Sequence, residues 1–284
     1  MYNMNYIVSL YKTYSKRMIY FRLILIFNFF LFIQCNTPSS PIAEIKTLPT
    51  LPNDTTNTRE QPLQTTNKNS VEEKKEIPCN WDTYLQAQHL INIQTLDLSI
   101  LVDLKYSTED NFMHKDMYGC LQNCYLQPDV AQKLVQAQFF LKEINPRLSL
   151  LIYDGVRPRS VQQYMWDILD MPIREKVKFV SNPKNGSLHN FGAAVDLTIY
   201  HLDSLQPLDM GTPYDYIGVK AWPIKEKLLI KNGTLTKQQV ENRKILRKVM
   251  TKAKFFNIQT EWWHFNSCYR KKAYQIYSIV EGIP

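Results

Sequence analysis

Two short stretches of the chain carry residue types from which a catalytic metal site can be built. The first runs from Ser187 to Asp196 and contains His189, and the second is Glu261-Trp-Trp-His264. His189, Asp196 and His264 are the ligand types of a catalytic zinc site, in which three protein ligands leave a fourth position to water. Glu261 lies three residues before the last of them, and a carboxylate beside such a water serves as a general base. The pattern therefore predicts metal-assisted hydrolysis.

Asp196 lies in the middle of an apolar segment, residues 193–200, that is predicted to be a strand. A buried carboxylate is costly unless it is paired or bound to a metal. This favours a pairing with His189 across the turn that contains Gly192, where glycine lets the backbone pass close to another group. The alternative is a buried salt bridge between Asp196 and an arginine such as Arg157.

The spacing of Glu261 and His264 raises a geometric difficulty. Residues three apart share a face of a helix but point to opposite faces of a regular strand. The aromatic and β-branched run at 258–265 favours a strand. Either this strand bends at Trp262 and Trp263, or only one of the two residues belongs to the site.

Arg157 follows a strand predicted at 148–153 and directly precedes Pro158. The residue before a proline is held in an extended conformation, so the guanidinium can be aimed. A fixed cation beside a polarised carbonyl would stabilise the oxyanion of a tetrahedral intermediate. The alternative is an ordinary surface arginine.

The elements that position these residues are predicted from the spacing of the apolar residues. Strands are expected at 98–106, 148–153, 193–200 and 258–265, and helices at 128–143, at 160–170 and from 236 onwards. The last two helices begin with the capping boxes Ser160–Gln163 and Thr236–Gln239. Strands and helices do not alternate strictly enough for a doubly wound sheet. We therefore expect an α+β domain, a mostly antiparallel sheet with helices packed on one side.

The composition sets broad limits on the fold and the partners. The 284 residues have a net charge of +8 and are 44% hydrophobic, enough for one sizeable core or two small ones. The basic residues are mixed with acidic ones, and no basic run is interleaved with aromatic residues. We therefore expect no nucleic-acid partner.

Residues 1–35 are predicted to be a targeting segment. Basic residues precede an apolar run at 23–33, which is too short to span a bilayer comfortably. Cys35 follows after Gln34, which resembles a bacterial lipoprotein signal, in which the cysteine is lipid-modified after cleavage. An ordinary signal peptide and an uncleaved anchor are the alternatives, and all three export the domain. We expect a periplasmic or cell-surface protein, attached to a membrane through a lipid on Cys35.

Residues 36–78 are rich in Thr, Pro, Asn and Ser and are predicted to be a flexible tether to a folded domain at 79–284. In an oxidising compartment, the four cysteines of that domain are compatible with two disulfides. The simpler pairing joins Cys120 to Cys124 and leaves Cys79 and Cys268 to tie the ends of the domain. A four-thiolate zinc site is the rival, which the C-x3-C spacing and export disfavour.

The combined motifs resemble those of the zinc D-alanyl-D-alanine dipeptidases. These include the dipeptidases of vancomycin resistance and belong with the wider D,D- and L,D-carboxypeptidase group related to the Hedgehog zinc fold. The matching runs are Ser187-x-His189-x-x-Gly192-x-Ala194-x-Asp196, Glu261-Trp-Trp-His264 and Gly155-Val-Arg157-Pro158. The resemblance covers roughly residues 98–265, nearly the whole predicted domain.

This resemblance implies a role for each matching residue. It makes His189, Asp196 and His264 the ligands of one zinc ion per chain. It makes Glu261 the catalytic base and then acid, and it makes Arg157 the residue that stabilises the transition state. It also implies that the local geometry of the Glu-Trp-Trp-His run brings its carboxylate and imidazole to one site.

The resemblance also implies a small peptide substrate, D-alanyl-D-alanine, bound by Ser187 and by Asp215 in Met210-Gly-Thr-Pro-Tyr-Asp215. A D,D- or L,D-carboxypeptidase that trims peptidoglycan stem peptides is the alternative that export favours. A non-catalytic wall-binding lipoprotein is a third possibility, against which the intact Glu261 and Arg157 argue. The tether, the lipoprotein-like start and the four cysteines depart from the pattern of the cytoplasmic resistance enzymes.

Overall fold

The computed structural model describes residues 79–282, so the predicted targeting segment and tether lie outside the described residues. The helices are α1 (Trp81–Ala87), α2 (Pro128–Ile144), α3 (Arg159–Ile168), α4 (Ile173–Lys176), α5 (Glu226–Lys231), α6 (Lys237–Lys252) and α7 (Arg270–Ile276). The strands are β1 (Ile91–Asn92), β2 (Leu101–Val102), β3 (Tyr125–Leu126), β4 (Leu148–Asp154), β5 (Ala194–His201), β6 (Gln206–Pro207), β7 (Phe256–Asn257) and β8 (His264–Asn266). Between residues 79 and 282, no helix has the length and apolar character needed to cross a membrane.

The main sheet has six strands in the order β2-β4-β5-β8-β7, and β6 pairs with β5 beside this path. β2 runs parallel to β4, and the other pairs are antiparallel. β1 and β3 form a separate antiparallel ladder. The predicted α+β class is confirmed, but the main sheet is mixed. Its parallel pair arises because α2 lies between β2 and β4 in the chain, and a parallel connection needs such a crossover.

The central strands β4 and β5 bring the site residues together. All seven residues of β4 and the first six of β5 are buried. Asp154 at the end of β4 faces Asp196 on β5, and Asp196 faces His264 on β8. Three neighbouring strands therefore carry polar side chains to the same level of the sheet.

The two long helices support the sheet and follow their predicted bounds closely. α2 begins with Pro128 at its first turn and ends before Asn145, and it packs against both α6 and β4. The capping box of α6 is confirmed: the Gln239 amide donates to Thr236 Oγ1 over 3.1 Å, and the Thr236 amide donates to Gln239 Oε1 over 2.9 Å.

The predicted capping box at Ser160 is wrong. α3 begins at Arg159, Pro158 is its N-cap residue, and no side chain caps it. The backbone amides of Arg159 and Ser160 instead donate to the carbonyls of Val280 and Glu281, both over 2.8 Å. Carbonyls of the C-terminal segment therefore accept the hydrogen bonds that a capping side chain would otherwise accept.

Two predicted strands are much shorter than expected. The segment at 98–106 contains only Leu101–Val102 as a strand and continues into a 3-10 turn, Lys105–Ser107. The segment at 258–265 bends and becomes a strand only at His264. Trp262 and Trp263 are both buried. Consecutive residues of a regular strand point to opposite faces, so a strand covered on one face would bury only one of the two.

The predicted cysteine pairing is wrong. A disulfide joins Cys79 to Cys120, and Cys124 and Cys268 are buried free thiols. Cys124 points away from its near neighbour and into the core, where its sulfur lies 2.6 Å from the point that a Cβ of Gly155 would occupy. The rival four-thiolate zinc site is also excluded, because two of the four sulfurs are bonded to each other.

Candidate active site

His189, Asp196 and His264 come together in the structure, with one ligand atom of each lying within 4.8 Å of the others. His264 Nδ1 lies 2.9 Å from Asp196 Oδ1, and His189 Nε2 lies 3.4 Å from the same oxygen. The two imidazole nitrogens are 3.1 Å apart. His189 and Asp196 are buried and His264 is partly buried, so the cluster is shielded from bulk water.

Local turns deliver these three side chains. His189 lies in a 3-10 turn, Leu188–Phe191, that ends at Gly192 with a left-handed φ of 63°. A Cβ on Gly192 would come within 3.1 Å of Leu90 Cδ2 and 3.3 Å of the Gln127 amide nitrogen. Glycine is therefore required both by the backbone angle and by the close packing. The chain then enters β5, where Asp196 is the third residue.

Hydrogen bonds to residues outside the cluster orient the two imidazoles. His189 Nδ1 lies 2.7 Å from the Gly155 carbonyl oxygen, and His264 Nε2 lies 2.9 Å from Asn266 Oδ1. These oxygens accept, so the ring nitrogens facing them donate. The other nitrogens, His189 Nε2 and His264 Nδ1, face each other and Asp196. Two imidazoles oriented by outer partners and one carboxylate fit the ligand set of a catalytic zinc ion.

Charge and hydrogen bonding keep Asp196 in its anionic form. Burial disfavours the charged carboxylate, but His189 and His264 outweigh burial and hold the pKa of Asp196 well below its usual range. Burial likewise disfavours the imidazolium of His264, yet its hydrogen bond to Asp196 and the charge of that carboxylate raise the pKa of His264 to about 9. The second oxygen of Asp196 accepts a hydrogen bond from the Tyr214 hydroxyl over 3.0 Å.

Glu261 lines the same cleft as the three candidate ligands. It lies in the bend before β8, where the Asn257 side-chain amide donates to the carbonyls of Glu261 and His264, both over 2.8 Å. The bend lets both residues border the cleft despite their spacing. Burial raises the pKa of Glu261, and the charge of Asp196 raises it too, against an opposing effect of His264. A raised pKa suits a group that must accept and then return a proton.

Arg157 is buried and is held by Asp154. Its Nε and Nη2 donate to Asp154 Oδ2 over 3.0 and 2.6 Å, and its guanidinium lies 4.8 Å from the centre of the Tyr106 ring. Nη2 also lies 3.8 Å from Asp196 Oδ2. Arg157 is therefore not a surface arginine. Its contact with Asp196 is longer than the contacts of Asp196 with His264 and Tyr214.

Ser187 and Asp215 also border the cleft. The Ser187 hydroxyl is buried and has no hydrogen-bond partner within the described residues. Asp215 has a left-handed φ of 56°, and its carboxylate accepts a hydrogen bond from the Tyr106 hydroxyl over 2.9 Å. Burial and the charge of Asp196 raise the pKa of Asp215 well above its usual value. Both residues therefore present polar groups with which a ligand in the cleft could form hydrogen bonds.

The cleft has a volume of about 530 Å³ and is lined by all seven residues singled out from the sequence. Its remaining wall is largely apolar and includes Phe112, Phe179, Trp222, Ile258 and Trp263. A concave pocket with apolar walls and a few convergent polar groups has the general form of a small-molecule site. The chemistry that it can support is hydrolysis of a small polar substrate.

Comparison with known proteins identifies the family. The family model described as D-ala-D-ala dipeptidase matches residues 86–279. The chain belongs to the D-alanyl-D-alanine dipeptidase family. The family that the motifs resemble is therefore confirmed, and with it the prediction of a metallopeptidase.

Several curated D-alanyl-D-alanine dipeptidases resemble this chain. The Enterococcus faecalis protein is 28% identical over 177 residues, which cover 57% of this chain and 83% of that protein. The Escherichia coli protein is 28% identical over 176 residues, covering 62% and 83%. The Synechocystis protein is 29% identical over 170 residues, covering 50% and 68%. The matches thus extend over most of each relative.

The structure of this dipeptidase-family chain also reveals site residues that were not predicted. Asp154 is fully buried and accepts hydrogen bonds from Arg157 and, over 2.7 Å, from the Tyr118 hydroxyl. Tyr106 and Tyr214 contact the carboxylates of Asp215 and Asp196. Only Asp154 carried a signal in the sequence, a carboxylate directly after an apolar strand. The tyrosines gave none, because their contacts join distant parts of the chain.

Proposed function

We propose that this chain hydrolyses D-alanyl-D-alanine with one zinc ion held by His189, Asp196 and His264. The observation that carries the proposal is the convergence of two imidazole nitrogens and a carboxylate in a cleft shared with Glu261 and Arg157. A bound zinc ion would supply Lewis acidity for the peptide carbonyl and lower the pKa of water. We further propose the zinc fold of the D,D-peptidases and Hedgehog proteins, which the pairing of β5 with β8 supports.

Glu261 accepts the proton of the attacking water and returns it to the leaving amine. Its pKa is raised towards neutral pH, where one group can serve first as the base and then as the acid. The apolar wall beside it, which includes Trp263, limits the access of bulk water to the carboxylate.

Arg157 stabilises the negative charge that develops on the substrate oxygen. Its Nε and Nη2 are held by Asp154, so the guanidinium is oriented before the substrate arrives. Nη1 makes no hydrogen bond within the described part of the chain, which leaves its two N–H groups for the substrate. Such preorganised donors are among the largest contributions to catalysis of acyl transfer.

Ser187 and Asp215 bind the ends of the dipeptide. The unpartnered Ser187 hydroxyl offers a hydrogen bond to a polar group of the substrate. Burial near Asp196 disfavours the charged form of Asp215. The positive charge of a substrate ammonium group would favour that charged form again. A zwitterionic dipeptide therefore complements these two positions.

Release of D-alanine by the purified zinc-loaded protein tests the proposal. Glu261→Gln should keep its zinc and lower kcat by about 10²–10⁴-fold, the usual contribution of general acid–base catalysis. Glu241→Gln, a change of an exposed glutamate on α6, is the control and should retain full activity. A fully active Glu261→Gln variant would rule out this role for the residue.

The size of the cleft favours a second candidate, a D,D- or L,D-carboxypeptidase acting on stem peptides. A volume of about 530 Å³ lies in the range that accommodates drug-sized ligands and exceeds the need of a dipeptide of two alanines. Comparison of kcat/KM for D-alanyl-D-alanine and for a stem pentapeptide ending in the same two residues distinguishes the candidates. A higher value for the pentapeptide would favour the carboxypeptidase.

We also propose that the chain is exported and attached to a membrane through a lipid on Cys35. The Cys79–Cys120 disulfide supports export, because such bonds form and persist in oxidising compartments. Cys35 itself lies outside the described residues. Cys35→Ser should move the protein from the membrane fraction to the soluble fraction, and retention of the variant in the membrane would favour an uncleaved apolar anchor.

A further inference from the structure

The loop between β6 and the 3-10 turn Val219–Ala221 carries Asp215 into the cleft and brings Tyr214 to Asp196. Within the described chain, no backbone–backbone hydrogen bond begins or ends at residues 209–217. The backbone of this loop therefore does not hold itself in place. Its position must come from side chains that reach it from other elements.

A single buried arginine on α6 holds both ends of this loop. Arg243 Nε donates to the Met210 carbonyl over 2.7 Å, and Nη2 donates to the Lys220 carbonyl over 3.1 Å. Asp215 lies midway between these two residues in the sequence. The adjacent Asn242 adds a lesser anchor, a single neutral hydrogen bond from its side-chain amide to the Asp209 carbonyl over 2.8 Å.

The ion pair with Glu226 does not by itself explain why Arg243 is buried. The side chain is fully buried, and burying a charge is costly unless geometry and hydrogen bonding compensate. Its Nη1 lies 3.6 Å from Glu226 Oε1 and makes no hydrogen bond within the described residues. Glu226 is already bound by both terminal nitrogens of Arg247, over 2.9 and 2.5 Å. Arg243 differs from Arg247 in that its planar guanidinium donates to two loop carbonyls at once.

We propose that Arg243 is a positioning residue that fixes the loop at 209–220, so that Asp215 meets the substrate and Tyr214 meets Asp196. The inference rests on the proposed function for the role of Asp215. Arg243 does not touch the substrate and acts only through the loop. A residue required only for stability would affect the whole domain, whereas this role predicts an effect confined to the loop and to substrate selection.

Hydrogen exchange tests the position of the loop without reference to activity. In the full-length chain, Arg243→Met should speed exchange of the Gly211 and Ala221 amides, which are hydrogen-bonded at the two ends of the loop, by tenfold or more and leave β5 unchanged. Arg247→Met is the matched control, because Arg247 shares Glu226 but makes no hydrogen bond to the loop. It should change loop exchange by less than twofold. Unchanged loop protection in Arg243→Met, or faster exchange spread evenly over the loop, α6 and β5, would overturn the proposal.

Substrate selection tests the consequence at the site. The zinc-loaded wild type should prefer D-alanyl-D-alanine to its N-acetylated form, and Asp215→Asn should reduce this preference. In the Arg243→Met background, Asp215→Asn should reduce the preference much less, because the carboxylate is no longer held in place. Equal reductions in both backgrounds would contradict the positioning role, since independent sites give additive effects.

Two further variants guard against misfolding. Arg243→Lys keeps the charge but reaches one carbonyl rather than two, and it should give an intermediate change in loop exchange. Asn242→Ala removes the lesser anchor and should give a smaller change of the same kind. Wild-type protection in both variants would count against the proposal. A chain with no dipeptidase activity would refute the proposed function alone, because the exchange test does not require turnover.

Discussion

At the scale of single residues, Asp154 connects the two halves of the candidate site. It is fully buried, accepts two hydrogen bonds from Arg157 and one from Tyr118, and lies 3.4 Å from His189 Nδ1. The same carboxylate thus orients the guanidinium and borders an imidazole of the metal cluster. Loss of its charge should affect both stability and catalysis.

Asp154→Asn should destabilise the protein by about 3–5 kcal/mol, because it leaves the buried cation of Arg157 without its anion. Urea unfolding measures this loss, and kcat/KM should fall in the fraction that remains folded. Asp203→Asn is the control, because it breaks an exposed ion pair with Arg147 and should cost less than about 1 kcal/mol. Equal losses in the two variants would contradict the assigned importance of Asp154.

Asn266 is predicted to tune metal affinity through His264. Asn266→Ala removes the acceptor of the His264 Nε2 proton, and loss of such an outer partner weakens metal binding by about 10–100-fold. Competition with a chelator of known zinc affinity measures the change. Asn232→Ala, a change at an exposed loop residue on the C-cap of α5, should leave the affinity as it is. An unaltered affinity in Asn266→Ala would show that His264 is oriented by other contacts.

At the scale of elements, the long periodic segments could be predicted from the sequence and the short ones could not. α2, β4 and β5 lie within a residue or two of their predicted bounds, because apolar spacing over seven or more residues reports the buried face directly. The start of α3 depends on carbonyls at Val280 and Glu281. A contact between residues about 120 positions apart leaves no trace in local sequence.

The residues of the candidate site could likewise be predicted only in part. All seven predicted residues line one cleft, because their types and spacing carry chemical information. Their supporting residues escaped prediction, since Tyr106 reaches Asp215 from 109 residues away and Asp154 meets Asp196 only through strand register. The bend that brings Glu261 and His264 to the same cleft was one of the two alternatives that their spacing left open.

The capping box of α6 allows a prediction for a whole element. Thr236→Ala removes the side chain that accepts from the Gln239 amide and should destabilise the protein by about 1 kcal/mol. The urea midpoint of unfolding measures this change. Thr251→Ala, at an exposed position near the end of the same helix, should have a smaller effect. If both variants behave alike, the hydrogen bond of the cap contributes nothing measurable.

At the scale of the molecule, both ends of the described chain are tied back to the site. The Val280 amide donates to the Asn190 carbonyl over 2.8 Å, next to His189. At the other end, Trp81 Nε1 donates to the Tyr118 carbonyl over 3.0 Å, and the Cys79–Cys120 disulfide closes the same junction. The start of the domain therefore supports the segment whose Tyr118 contacts Asp154.

The disulfide should stabilise the domain without being needed for catalysis. Its two cysteines are 41 residues apart, and closing a loop of that length stabilises a protein by about 4 kcal/mol in the chain-entropy estimate. Cys79→Ser/Cys120→Ser should therefore lower the urea midpoint clearly, while kcat/KM stays within about threefold, because Trp81 and the hydrogen bond from Tyr118 to Asp154 remain. A reducing agent should lower the midpoint of the wild type and leave that of the double variant unchanged. An equal response of the two proteins would show that the stabilisation comes from another source.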